Sequence, residues 1–232
     1  GLMIDSGRRF FPVPLVKNLL DTMAAVKLNV LHLHASDHCR FGVESKLFPE
    51  LTGSLVGDKA GFYTQADIRH LIAYAKQRGI RIVPEFDIPG HAHSFLPLEG
   101  KGVHFCTSDT TRSQLYDDPK NETYVILEAL FREMADLFED SVFHMGCDET
   151  AVGGKCSKET IFSLEHKLAS SLRGLGKTTE GWEEMLFSEG AAMADTIVNH
   201  WTPGSQISSI VSTGRHVVES ADKHFYFTGA AP

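Results

Sequence analysis

Short runs of apolar and β-branched residues alternate along this chain with longer stretches in which Leu, Ile, Val and Met recur every three or four positions. The short runs predict strands and the helical spacing predicts helices. Strands are predicted over 2–4, 29–34, 81–86, 142–145, 177–179, 196–199 and 216–218. Helices are predicted over 14–26, 65–77, 124–138 and 157–172. The first opens on Pro14, a residue suited to a first turn, and the second stops at Gly79.

Strand and helix alternating in this way predict an α/β fold with a parallel sheet. The spacing suits a TIM-type (β/α)₈ barrel better than a Rossmann sheet, with the last strand–helix unit missing. No Pro/Gly/Ser-rich linker interrupts the 232 residues, so a single catalytic domain over 1–232 is expected, as an excerpt of a longer chain.

Composition adds exclusions. Hydrophobic residues make up 42% and charged residues 22%, which suffices for a buried core without metals or a disulfide framework. The net charge is -8 and the basic residues are scattered, which argues against nucleic acid as a partner. No run of about 18 apolar residues offers a membrane span. Of the four cysteines, Cys147 and Cys156 are close enough in sequence to bridge or share a metal, but buried free thiols are the expectation, and all four are read as structural.

Active sites of such barrels form at the C-terminal ends of the strands. Polar clusters fall there repeatedly: His32, His34 and Asp37; Glu85, Asp87 and His91; His144, Asp148 and Glu149; Trp182, Glu183 and Glu184; His200 and Trp201. The sharpest is Val-Phe-His-Met-Gly-Cys-Asp-Glu over 142–149, an apolar strand ending in two adjacent carboxylates. Neighbours on a strand point to opposite faces, so both serve one pocket only if the backbone bends, which Gly146 permits. Two carboxyl groups in different environments divide acid and base roles in glycosidases. Asp148 capping a following helix is the structural alternative.

The ordered motifs resemble the catalytic barrel of family 20 glycoside hydrolases, the β-N-acetylhexosaminidases, over nearly the whole chain. Gly-Leu-Met-Ile-Asp at 1–5 resembles the first strand, and Asn-Val-Leu-His-Leu-His-Ala-Ser-Asp at 29–37 the second. Arg-Gly-Ile-Arg-Ile-Val-Pro-Glu-Phe-Asp-Ile-Pro-Gly-His at 78–91 resembles the third strand and its turn, and Gly-Trp-Glu-Glu at 181–184 the fifth loop. His-Met-Gly-Cys-Asp-Glu at 144–149 resembles the signature His-x-Gly-Gly-Asp-Glu, with Cys147 at the second Gly.

The resemblance implies a retaining exo-glycosidase releasing β-linked N-acetylhexosamine, with the substrate's 2-acetamido oxygen as nucleophile. It implies Glu149 as general acid and base, Asp148 orienting the acetamido group, and His91 with Asp37 as a supporting relay. Trp182, Trp201, Tyr226, His144 and Asp87 are the implied substrate-binding residues. Glycans containing N-acetylglucosamine or N-acetylgalactosamine are the implied partners; neither cofactor nor metal is implied, and a secreted, periplasmic or lysosomal location is. Three departures stand out: the family's substrate-binding Arg is expected just before Gly1, its Tyr-Leu-Asp reads Tyr-Phe-Thr at 226–228, and its eighth strand has no counterpart. Two other classes stay open. One is a metal-dependent hydrolase using His32 and His34, whose i, i+2 spacing shares a strand face, with His91 and His93 similarly spaced. The other is a carbohydrate-binding barrel without turnover.

Overall fold

The computed structural model describes residues 1–53, 55, 57, 60–106, 114–153, 155–186, 194–202 and 207–227. Seven strands form one sheet in sequence order: β1 (Leu2–Asp5), β2 (Val30–Ser36), β3 (Arg81–Ile88), β4 (Val142–Gly146), β5 (Thr178–Trp182), β6 (Ile197–His200) and β7 (Val217–Glu219). Every neighbouring pair is parallel. The sheet curls into a partial barrel under a layer of helices: α1 (Val13–Ala25), α2 (Glu50–Gly53), α3 (Gln65–Lys76), α4 (Glu122–Leu137), α5 (Lys158–Gly174), α6 (Ile207–Val211) and α7 (Asp222–Phe225). A 3-10 helix over Ala92–Lys101 and another over Glu183–Leu186 follow β3 and β5.

Local chemistry sets the helix starts. Pro14 lies in the first turn of α1. Thr64 and Asp67 form a reciprocal capping box on α3, each side chain accepting the other's backbone N–H, at 3.0 and 2.9 Å. Ser157 caps α5 by accepting from Thr160 N–H at 3.3 Å.

Strand alternation divides the two faces. Phe86 and Phe143 point outward, stack on each other at 5.8 Å, and pack against Phe131 of α4 at 6.4 and 5.4 Å. Inward, the register aligns Asp5, His34, Glu85, His144 and Glu180 across β1 to β5. The barrel is therefore apolar towards its helices and polar inside, and the register shifts between His34 and Ser36 and between Glu85 and Ile88 mark where strands loosen towards the site.

Candidate active site

Asp148 and Glu149 follow β4, and the backbone there leaves the strand abruptly. Gly146, Cys147 and Glu149 have φ of 76°, 73° and 49°. This left-handed sequence turns two neighbouring side chains, which a strand would send to opposite faces, towards one imidazole. His91 Nε2 lies 3.4 Å from Asp148 Oδ2 and 3.3 Å from Glu149 Oε2. His91 itself has φ 51° in the turn after Ile88–Pro89, whose peptide is cis. Gly90 lets that turn press on the β4 loop: a Cβ there would lie 2.8 Å from the Asp148 carbonyl.

Behind His91 sits Asp37, buried, with its Oδ1 3.6 Å from His91 Nδ1. The Asp37 carboxylate is contacted by His34 Nε2 at 3.0 Å, by His38 Nδ1 at 2.7 Å and by the Arg8 guanidinium at 2.8 Å. Burial would raise the Asp37 pKa, but His34, His91 and Arg8 together hold it far below the ordinary carboxylate value. Burial likewise opposes a charge on His91, yet the Asp148 and Asp37 carboxylates outweigh it and push its pKa up to about 10. The result is an imidazolium held between carboxylates, with Glu149 the most exposed of them, its side chain 58% accessible.

Beneath this layer, Glu85 is fully buried and takes His32 Nε2 at 2.7 Å, His34 Nδ1 at 2.8 Å, and a hydrogen bond from Trp182 Nε1 at 2.9 Å. Burial opposes its charge, but the facing histidines, His34 foremost, hold it well below the usual range. Burial pushes His144 down to about 3, so that ring is neutral. Asp87 shows the opposite balance: burial, then the charges of Asp148 and Glu85, hold it well above the usual carboxylate value and favour its neutral form. Its Oδ1 accepts Cys147 N–H at 3.2 Å.

The groupings His32–Glu85–His144 and His34–Glu85–Asp87 bring ligand atoms within 4.8 Å of one another and so have the chemistry to hold a cation. Both histidines of the His32/His34 pair already face Glu85, and their partners account for them as an ion-pair network.

The catalytic-domain model of glycosyl hydrolase family 20 matches residues 1–231. The chain belongs to glycosyl hydrolase family 20. It is 32% identical over 249 residues to β-hexosaminidase subunit A2 of Dictyostelium discoideum, covering 100% of this chain and 45% of that protein. The β-hexosaminidase subunit beta of Mus musculus is 38% identical over 222 residues, 87% of this chain and 41% of its own. The solved exo β-N-acetylglucosaminidase of Vibrio harveyi, in complex with N-acetylglucosamine, superposes with a TM-score of 0.83 at 28% identity, covering 95% of this chain and 40% of that one. The chain thus spans less than half the length of these curated relatives.

Against this family-20 frame, the structure brings Asp37, His91, Asp148 and Glu149 together. His144 and Asp87 have no exposed surface; both lie below the β4 turn, where His144 Nδ1 accepts Gly146 N–H at 3.0 Å. Trp182 is only 4% exposed and turns inward, its ring 5.2 Å from His144 and 6.0 Å from His32. That makes it part of the site's floor. Trp201 is half-buried and donates to Glu184 at 3.1 Å. Tyr226 is exposed, and burial of its phenol followed by the charge of Asp148 raises its pKa. Thr228 lies outside the described residues.

Two features escaped the sequence reading. Arg8, whose side chain is 43% exposed, joins Asp37 to Asp5, at 2.8 and 2.7 Å. Cys106 and Cys156 form a disulfide with Cα atoms 5.5 Å apart, so those two are not free thiols; Cys147 is free and buried. An Asp-Arg pair at 5 and 8, spaced for an i, i+3 contact, was the available signal for the first.

Proposed function

We propose that the protein is a retaining exo-β-N-acetylhexosaminidase, acting on terminal β-linked N-acetylhexosamine of glycans through the substrate's own 2-acetamido group. The observation carrying this reading is the convergence of Asp148 and Glu149 on His91, with Asp37 behind it. Its family relatives named β-hexosaminidases support it, and a single catalytic domain over 1–232 is part of the proposal.

Glu149, the more accessible carboxyl, protonates the glycosidic oxygen as the acetamido oxygen attacks the anomeric carbon and the glycosidic bond breaks. The carboxylate it becomes meets the His91 imidazolium at 3.3 Å, which lowers the cost of its new charge. Asp148 orients the acetamido N–H and stabilises the cationic oxazolinium; neutral Asp87 below leaves that negative charge undivided. Water, deprotonated by Glu149, then opens the ring at the same carbon, and two inversions give retention. The tethered nucleophile removes much of the entropic barrier to attack. Trp201 and Tyr226 offer apolar faces for the ring.

The test is turnover of a chromogenic N-acetyl-β-glucosaminide by the full-length protein. Glu149→Gln is expected to lose on the order of 10²- to 10⁴-fold in kcat. Sugar binding without turnover in the unsubstituted protein would support the non-catalytic barrel, and turnover lost on chelation would support the metal-dependent reading.

A further inference from the structure

The loop that carries Glu149 has few internal supports. Cys147 N–H donates to the Ile88 carbonyl at 3.0 Å, and Gly153 and Cys156 exchange backbone hydrogen bonds at 2.9 and 3.0 Å. Between them, the side chain of Gln114 holds both polar groups of the Ala151 peptide. Its Oε1 accepts Ala151 N–H at 2.7 Å and its Nε2 donates to the Ala151 carbonyl at 2.8 Å. Gln114 itself is 4% exposed, which fixes its side chain from the buried side of the loop.

The other end of this tether is anchored beside His91. Leu115 N–H donates to the Pro89 carbonyl at 2.8 Å, two residues before His91. The Gln114 carbonyl accepts Cys106 N–H at 2.8 Å, next to the disulfide and to the antiparallel bridge of Phe105 with Leu115. A closed path therefore runs from the His91 turn through Leu115 and Gln114 to Ala151, then back two residues to Glu149, whose carboxylate meets His91 at 3.3 Å.

We infer that Gln114 is a positioning residue that fixes the Glu149 carboxyl against His91 by clasping the Ala151 peptide. It touches neither substrate nor reacting atoms; it acts through the loop. The inference rests on the acid role proposed for Glu149. Gln114→Ala removes both bonds and releases the Ala151 peptide from the clasp, while Gln114→Glu keeps an acceptor for Ala151 N–H but sets an oxygen against its carbonyl. Glu149, with φ 49° and no helix or strand to hold it, is then free to leave His91.

Two readouts test this. In a crystal structure of Gln114→Ala, the Glu149 carboxylate is expected beyond hydrogen-bond reach of His91; a retained 3.3 Å contact overturns the inference whether or not the protein turns over. In kinetics on the full-length protein, kcat is expected to fall roughly 10- to 100-fold for a glycoside with a poor leaving group, the scale of misplacing a catalytic group by about 1 Å. It should fall much less for an activated aryl glycoside, which needs little proton donation, with KM little changed. Gln114→Glu should lie between. Equal losses on both substrates mean general loosening and overturn it. Absence of turnover in the unsubstituted protein would count against the proposed function, while the crystal readout still decides the role of Gln114.

Discussion

Replacing Gly146 with alanine adds one methyl group at the tightest point of the site. The new Cβ would lie 1.7 Å from Asp87 Oδ1, 2.3 Å from its Cγ and 2.8 Å from its Cα. The last of these is backbone, in a fully buried residue, so no rotamer change of Asp87 relieves the whole contact. Two costs add. A side chain at φ 76° costs about 1–2 kcal/mol for the left-handed backbone, and overpacking costs about 1–3 kcal/mol. A stiffer unfolded chain returns about 0.4–1 kcal/mol. The net loss is thus about 1–5 kcal/mol from these terms.

Gly79 supplies the control. Its φ is 69°, but a Cβ there meets nothing within 4 Å, so Gly79→Ala isolates the backbone term and should cost about 1 kcal/mol or less. Urea denaturation of the two variants side by side measures the difference, expected at about 1–3 kcal/mol. By thermal unfolding that is about 2–4 °C per kcal/mol for a chain of this size. Because the clash moves either Asp87 or the turn carrying Asp148 and Glu149, Gly146→Ala should also lose turnover, whereas Gly79→Ala should not. Equal destabilisation by the two substitutions would refute the close approach of Asp87 to the β4 turn.

The Cys106–Cys156 cross-link, which closes a separation of 50 residues, should contribute about 4 kcal/mol by restricting the unfolded chain; a denaturation midpoint unchanged by a reductant would contradict it, and its formation requires an oxidising compartment. His91 gives a pH signature. Its folded pKa of about 10 lies above the unfolded value of about 6.5, so the stability it contributes is complete below pH ~6.5 and is lost as pH rises through about 10. Denaturation midpoints from pH 6 to 10.5 should fall for the unsubstituted protein more steeply than for His91→Gln, and parallel curves would remove the inferred charge.

Much of the fold was legible because most strands are compact runs of apolar or β-branched residues. The strand expected over 142–145 is observed at Val142–Gly146, and the helix expected over 65–77 at Gln65–Lys76. Polar strand ends also marked the right end of the barrel for Asp37, His91, Asp148 and Glu149. What pattern could not resolve was depth. His144 and Glu149 are both polar residues near the end of β4, yet one is sealed and the other is open, because alternation within a polar-lined barrel sends side chains inward as readily as a rim exposes them. Trp182, 4% exposed, lies at the same depth as His144 although it closes its strand. The disulfide partners are 50 residues apart and the Gln114–Ala151 clasp spans 37, and pairings between loops leave no local periodicity to read.

The buried network explains why the rim can hold so much charge in one place. Asp37, Asp148 and Glu149 all face His91, and Asp37 and Asp148 alone would repel if only water separated them. Glu85, one layer lower, keeps His34 charged, and His34 with Arg8 neutralises Asp37. Asp87, between Glu85 and Asp148, takes up a proton and so adds no further negative charge. Alternating cations, anions and one neutral acid from β2 to β4 leave a single imidazolium to be shared by the two carboxylates of the β4 turn. Removing the lower layer should therefore disturb the upper one: with Glu85→Gln, His34 loses its main reason to stay charged, Asp37 loses a counter-ion, and the proton affinity of His91 shifts with no residue of the rim itself altered.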